Sequence, residues 1–307
     1  MYRRGRHARV RQLMRVFISG SASHLARALL PRLFDDPDIS SIIGLDSARA
    51  HFAHTKYRHV QADLRSADLA PLLHGCDALV HLAFVVLRGK IPAKTMREIN
   101  LDASQRLFEA AAQCRIPRQI HLSSAAVYGS GEQVNENVAY HPIPGFLYGE
   151  HKAALEHWLD RYHPNVVRLR PHIILGRHAQ PLLKNLLRQP FYVRLPDPQP
   201  LLQCVHEEDV SAAIQLALKR PASGAYNLAA PDSFNFRDAI RARQRWALPL
   251  SPRLARSALA LTWRLTGIGG EPGWMEGVDH SLTLDCDKAQ RELGWQPQHS
   301  SAAMLQA

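Results

Sequence analysis

Short apolar runs alternate with longer stretches of helical period over the first half of the chain. Arg15 to Ser19 reads as a short buried strand, and Gly20 opens a turn. From His24 to Phe34, Leu25, Ala28, Leu29 and Leu33 recur at helical spacing. Asp35-Asp36-Pro37 stops that helix. Ser41 to Leu45 is a second strand closing on Asp46, and His59 to Ala62 a third closing on Asp63. A helix over about Ala67–His74 and a strand over Asp77–Leu82 follow. Pro92 to Cys114 is a long helix, with Leu101, Leu107, Phe108 and Ala111 in register. Gln119–Ser123 and Val166–Leu169 are further strands, separated by a helix over Leu147–Tyr162. Strands alternating with helices in this way predict an α/β fold: a doubly wound parallel sheet covered on both faces.

After Arg170-Pro171 the alternation loosens, and Pro190, Pro196, Pro198 and Pro200 separate short elements. Glu207–Lys219 and Phe236–Trp246 read as helices, with a strand between them at Ala225–Leu228. Arg253 to Thr266 is an apolar helix with three arginines, expected to turn an apolar stripe to the core and its arginines to water. Lys288 to Leu293 is a last short helix. Residues 14–171 therefore read as a dinucleotide-binding domain. Residues 172–307 read as a smaller substrate-binding lobe, interleaved with it.

Composition adds bounds. A chain of 307 residues with 46% hydrophobic and 21% charged residues is an ordinary globular balance. Its formal charge of +11 could suit a phosphate-bearing ligand. Much of the excess is local: Arg3, Arg4, Arg6, Arg9, Arg11 and Arg15 crowd the start, so residues 1–13 read as a disordered basic arm. No RNA-binding or zinc-finger motif accompanies the arm, and nucleic acid is not expected as a partner. Polar residues break the apolar run after the arm, so it does not read as a secretory signal. No segment reaches the ~20 apolar residues of a membrane span, and membrane contact is not expected. Four scattered cysteines without Cys-x-x-Cys fit a reduced, cytoplasmic compartment. The 17 histidines form no metal-ligand pattern, so no metal is expected.

The chemistry centres on Tyr148-Gly149-Glu150-His151-Lys152. Residues four apart share a helix face, which sets a phenol beside an ammonium. A neighbouring positive charge lowers a phenol's pKa and lets it exchange protons with a substrate oxygen. Ser123 and Ser124 follow the fifth strand, at the carboxyl end of the sheet where ligands bind. Ser124 can hydrogen-bond the oxygen that Tyr148 protonates. The first strand, turn and helix form a candidate dinucleotide site. A helix N-terminus suits a pyrophosphate, and Gly20, Ser23 and Ala26 stand at the spacing of a three-glycine fingerprint. Ser23 departs most, placing a side chain where backbone should approach phosphate. Asp46 can bind both ribose hydroxyls and would repel a 2′-phosphate, which favours NAD over NADP. Asp63 can accept from an adenine amino group or simply cap a turn.

These motifs, in this order, resemble the extended short-chain dehydrogenase/reductases of the NAD-dependent epimerase/dehydratase family. The resemblance rests on Ile18-Ser19-Gly20, Asp46, Ala62-Asp63-Leu64-Arg65, His81-Leu82-Ala83, Asn100, Leu122-Ser123-Ser124, Tyr148 to Lys152, Arg170-Pro171 and Val205 to Val210. Asp287-Lys288-Ala289 and Glu292 to Trp295 add a C-terminal signature. It implies a Rossmann-type fold with Tyr148 as acid/base. Lys152 would hold the nicotinamide ribose and lower the tyrosine's pKa, and Ser124 would steady the reacting oxygen. It further implies NAD contacts from Gly20, Ser23, Ala26, Asp46, Asp63, Leu64, Leu82, Ala83, Asn100, Lys152 and Pro171. A homodimer through the helices at 92–114 and 147–162 is also implied. The expected activity is oxidoreduction or epimerisation at a carbinol carbon, on a nucleotide-sugar-like small molecule. Ile173 stands where many such members carry an asparagine, although Arg177, Lys184 and Arg188 could still meet a diphosphate. That substitution leaves open a hydrophobic alcohol or ketone, as in hydroxysteroid- or dihydroflavonol-type relatives. A non-catalytic dinucleotide-binding protein is the other alternative.

Overall fold

The computed structural model describes residues 13–86, 89, 91–179, 189–243, 247–266, 277 and 279–306. The basic arm before residue 13 lies outside them, as do Lys184, Arg188 and Trp246.

Seven strands form one parallel sheet: β1 (Met14–Ser19), β2 (Ile39–Asp46), β3 (Tyr57–Gln61), β4 (Ala78–His81), β5 (Arg118–Leu122), β6 (Val167–Pro171) and β7 (Gly224–Leu228). Their order is β7-β6-β5-β4-β1-β2-β3, the doubly wound arrangement that the alternating pattern predicts. Strand β1 shows why the pattern works. Val16 and Ile18 point into one core layer and Phe17 into the other, so an unbroken apolar run is what a strand covered on both faces requires.

The first layer is made by α1 (His24–Phe34) together with a helix at Glu207–Lys219, through Leu25, Leu29, Leu33, Val210 and Ile214. The second layer packs Leu107, Phe108, Leu155 and Leu159 beneath the sheet. Those residues come from helices Ala103–Gln113 and Leu147–Tyr162. The core therefore leaves the carboxyl ends of β1, β4, β5 and β6 as the free edge on which a site can form.

Two expected helices differ in detail. The one expected over Ala67–His74 shortens to Ala70–Leu73, because the Ser66 and Ala67 amides close a separate turn on the Asp63 carbonyl. The one expected over Pro92–Cys114 is broken by a π turn at Glu98–Asp102, between Ala93–Arg97 and Ala103–Gln113. Asn100 sits in that turn, fully buried. Its Oδ1 accepts from the Val85 amide at 2.7 Å and its Nδ2 donates to the Val85 carbonyl at 3.0 Å. Such π turns recur where a helix must aim a side chain at a functional region.

Past Pro171, the short pairs 173–175 with 204–206 and 191–193 with 248–250 build a wall beside the sheet. A third pair joins 131–134 to 282–284. Runs of three residues carry too little periodicity to be read from sequence. The helix at Pro252–Thr266 corrects an expectation: it sends no stripe into the core. None of its residues is buried, and Leu254, Leu261 and Leu265 are exposed. No helix among the described residues is long and apolar enough to cross a membrane.

Candidate active site

The glycine turn is built by close contact. Gly20 has φ +75°, and a Cβ there would stand 2.4 Å from the Ala83 amide nitrogen and 2.7 Å from the Leu82 carbonyl carbon. Only glycine lets β1 and β4 approach this closely at their ends. Ser23 is the N-cap of α1, and its hydroxyl accepts from the Ala26 amide at 3.3 Å. The serine has thus turned back into its own helix, leaving its proton free to donate outward. Ala26 is fully buried under α1. Asp46 latches the turn: Oδ2 accepts from the Ala22 amide and Oδ1 from the Ala48 amide, each at 2.9 Å. Unused lone pairs remain on both oxygens.

Asp63 is engaged by Arg65, whose Nη2 donates at 2.7 Å and whose amide donates to Oδ1 at 2.9 Å. The side-chain hydrogen bond from Arg65, more than any other influence, holds the Asp63 carboxyl below its usual pKa. Leu64 turns into the core beside Leu69 and Leu73. Asn100 lies behind the β4 loop.

The remaining sequence-marked residues meet in one cleft of about 810 Å³, at the carboxyl edge of the sheet. Ser23, Leu82, Ser124, Tyr148, Lys152 and Pro171 all line it. Ser124 caps a short 3-10 turn, and its Oγ accepts from the Ala126 amide at 3.2 Å. Burial pushes the Tyr148 phenol up to about 12, and the neighbouring Ser124 side chain partly offsets that rise.

Lys152 is buried, and its Nζ donates to the Leu122 carbonyl at 2.5 Å. The ammonium sits over the Phe84 ring, 3.5 Å from its centroid, and 5.8 Å from that of Tyr148. Burial pulls the lysine well below its usual pKa, while the Glu156 charge raises it. In the free protein the Phe84 ring and the Leu122 carbonyl hold the amine.

Sequence reasoning missed three contributors. Phe84 holds Lys152 from one side and meets the Tyr148 ring edge-on at 5.8 Å. Glu156 lies one helical turn beyond Lys152, and its i, i+4 spacing was a readable signal. Glu207 is buried and accepts the His178 amide on both carboxylate oxygens at 3.0 Å, which ties the loop after residue 175 to the cleft wall. Asp209, nearby, serves the fold: it accepts from the Gln298 and His299 amides and clasps the C-terminal segment. His206, Glu208 and His299 bring ligand-type atoms within 4.8 Å of one another. However, His206 Nδ1 already accepts the Glu208 amide at 3.3 Å, and His299 Nδ1 faces Asp209 at 3.1 Å. We read that group as a helix cap and a clasp.

A dinucleotide suits this arrangement. The turn has no room for a side chain at Gly20, the α1 N-terminus offers amides and a serine proton, and the acid at the end of β2 retains acceptor capacity. The other half of the cleft ends on a phenol, a hydroxyl and an amine, the groups needed to move a proton at a substrate oxygen.

Comparison with known proteins agrees. Residues 16–229 match the model of the NAD dependent epimerase/dehydratase family. The chain is 24% identical over 252 residues to uncharacterized protein y4nG of Sinorhizobium fredii, covering 76% of this chain and 62% of that protein. It therefore spans somewhat under two thirds of that relative's length. It is 30% identical to the UDP-glucose 4-epimerase of Mycolicibacterium smegmatis, over 48% of this chain and 51% of that one. DesIV, a dTDP-glucose 4,6-dehydratase from Streptomyces venezuelae determined with NAD and TYD bound, superposes with a TM-score of 0.74 at 25% identity, covering 95% of each chain. The chain belongs to the NAD dependent epimerase/dehydratase family and is an NAD-dependent enzyme on a Rossmann-type fold.

Proposed function

We propose that the enzyme oxidises or reduces a carbinol carbon, with Tyr148 exchanging the hydroxyl proton and Ser124 holding the oxygen in place. The observation that carries this reading is that Ser124, Tyr148 and buried Lys152 line one end of the cleft together. NAD, when bound, supplies the hydride acceptor. Gly20, Ser23 and the α1 N-terminus would take its pyrophosphate, and Asp46 a ribose. Leu82, Ala83 and Pro171 would flank it, with Lys152 reaching the second ribose. Ala26 and Asn100 act from behind, through the packing of α1 and the hold on Val85. Asp63 and Leu64 would serve the adenine end less directly, since Arg65 occupies the acid and the leucine is buried.

In an epimerase the hydride returns to the opposite face of the same carbon. In a dehydrogenase or reductase the changed product leaves. Several structural neighbours were solved with nucleotide sugars bound, which makes that class the expectation on family grounds. The lining of the outer cleft favours a less polar molecule.

The direct test is Ser124→Ala. Removing the hydroxyl that steadies the oxygen is expected to lower kcat about tenfold or more, while NAD still raises the melting temperature. Unchanged kcat would remove Ser124 from the reaction. A paired titration tests the cofactor end. NAD is expected to raise Tm clearly and NADP little, because a 2′-phosphate would meet the Asp46 carboxylate. Equal shifts would mean that Asp46 does not discriminate between them.

A further inference from the structure

Beyond the catalytic trio, the cleft wall is mainly hydrocarbon. Ile143 and Phe146 face it from the segment before the Tyr148 helix, Ile173 from beyond β6, and Phe191, Leu202 and Phe236 from the lobe. A sugar nucleotide brings a diphosphate and several hydroxyls, and each needs a donor, an acceptor or a cation once it leaves water.

Several polar groups on this wall are already committed. Among the described residues lining the cleft, the lysines and arginines are Lys152 and Arg237. Arg237 is paired with Asp197 at 2.8 Å and with Asp238 at 3.2 Å. His172 spends one ring nitrogen on the Leu282 carbonyl at 2.9 Å and the other on the Ile173 amide at 2.8 Å. Gln199 donates to the Leu195 and Pro196 carbonyls. Asn235 donates to the Asp238 carboxylate and accepts its amide, each at 2.8 Å. Glu207 adds a carboxylate, which would repel a phosphate. A diphosphate entering here would have to strip existing ion pairs and would find an acid beside it. An apolar skeleton would displace water from hydrocarbon and leave every one of these bonds intact.

We propose that the substrate is a secondary alcohol, or the matching ketone, on a bulky apolar carbon skeleton. Only its oxygen-bearing carbon meets polar groups, at Ser124 and Tyr148. This rests on the reaction proposed above and names its substrate class. In the oxidative direction the carbinol C–H bond breaks and its hydrogen leaves with both electrons to NAD. The hydroxyl proton passes to the Tyr148 oxygen, and the carbon–oxygen double bond forms. Reduction reverses each step.

The test compares two probe sets on the full chain in the presence of NADH or NAD. One set is apolar ketones and alcohols of bicyclic and steroid type. The other is UDP-glucose, UDP-galactose and dTDP-glucose. Thermal shift reads binding, and NADH absorbance or product analysis reads turnover. The expected result is a thermal shift and turnover with apolar probes, and neither with the sugar nucleotides. Phe191→Glu puts a charge on an exposed part of the wall. It is expected to raise KM for the apolar probe about tenfold, leaving the NAD-induced shift unchanged.

Sugar-nucleotide binding with turnover that depends on Tyr148 would overturn the substrate class and leave the reaction standing. Apolar turnover that survives Tyr148→Phe would do the reverse. No shift and no turnover with any apolar probe would also overturn the proposal.

Discussion

Tyr148→Phe is expected to lower kcat about 10²–10⁴-fold, the span that a positioned acid or base contributes. The substitution removes one oxygen and little else. The ring stays between Phe84 and Phe146, with centroids 5.8 and 5.7 Å away, so the fold and the NAD-induced rise in Tm should persist. The environment also sets the pH dependence. Burial pushes this phenol up to about 12 and Ser124 opposes the shift, so at neutral pH the group is protonated. Reduction needs that proton, and its rate should be flat from pH 6 to 9 as far as this group is concerned. Oxidation needs the phenolate, whose fraction grows about tenfold per pH unit below the pKa. The oxidative rate should therefore climb with pH while the reductive rate does not. Steady-state rates in both directions across that range check the sign. Wild-type turnover in the Phe variant would dismiss Tyr148 from the chemistry.

The contrast between Tyr148 and Lys152 shows how far the sequence could be read. Their spacing correctly sets both on one helix face and over one cleft, because a helix repeats on a fixed period. It could not say where the end of a four-carbon side chain would go. That was decided by the Leu122 carbonyl and the Phe84 ring, which come from two other strand ends. The parallel sheet was legible for a similar reason: runs such as Val16-Phe17-Ile18 bury both faces of a strand, and only a covered sheet accommodates them. The lobe was less legible, since its strands are three residues long and owe their pairing to partners far along the chain. Ser23 shows a finer limit. As a misplaced glycine it looked like a defect in the turn, whereas the structure uses it as the cap of α1. The helix at 252–266 failed in the opposite way: an apolar period predicts a core-facing stripe only when a core lies within reach.

The second large effect concerns stability. Glu156 is fully buried and receives the Ser123 hydroxyl at 2.5 Å, Arg170 Nη2 at 2.6 Å and Nε at 2.9 Å, and the Tyr140 hydroxyl at 3.2 Å. Arg168 Nε faces it at 3.5 Å, an ion pair without hydrogen-bond geometry. Both arginines are almost wholly buried. Glu156→Ala would leave Arg168 with Asp160, and Arg170 with two phenols and no carboxylate. Removing one partner from a buried ion pair costs about 3–5 kcal/mol, since a charge is stranded in a poor solvent. A fall in Tm on the order of 10 °C is expected. Adding Arg170→Met should recover part of that loss, because the stranded charge then goes as well. Recovery in the double variant separates this mechanism from simple loss of packing, which a second truncation would worsen. A Tm unchanged by Glu156→Ala would mean that water reaches Arg170 and that the network is far less dry than its burial indicates. The same carboxylate raises the pKa of Lys152 one helical turn away, and its Ser123 partner adjoins Ser124. The network that holds β6 to the Tyr148 helix thus also sets the ground on which the catalytic groups stand.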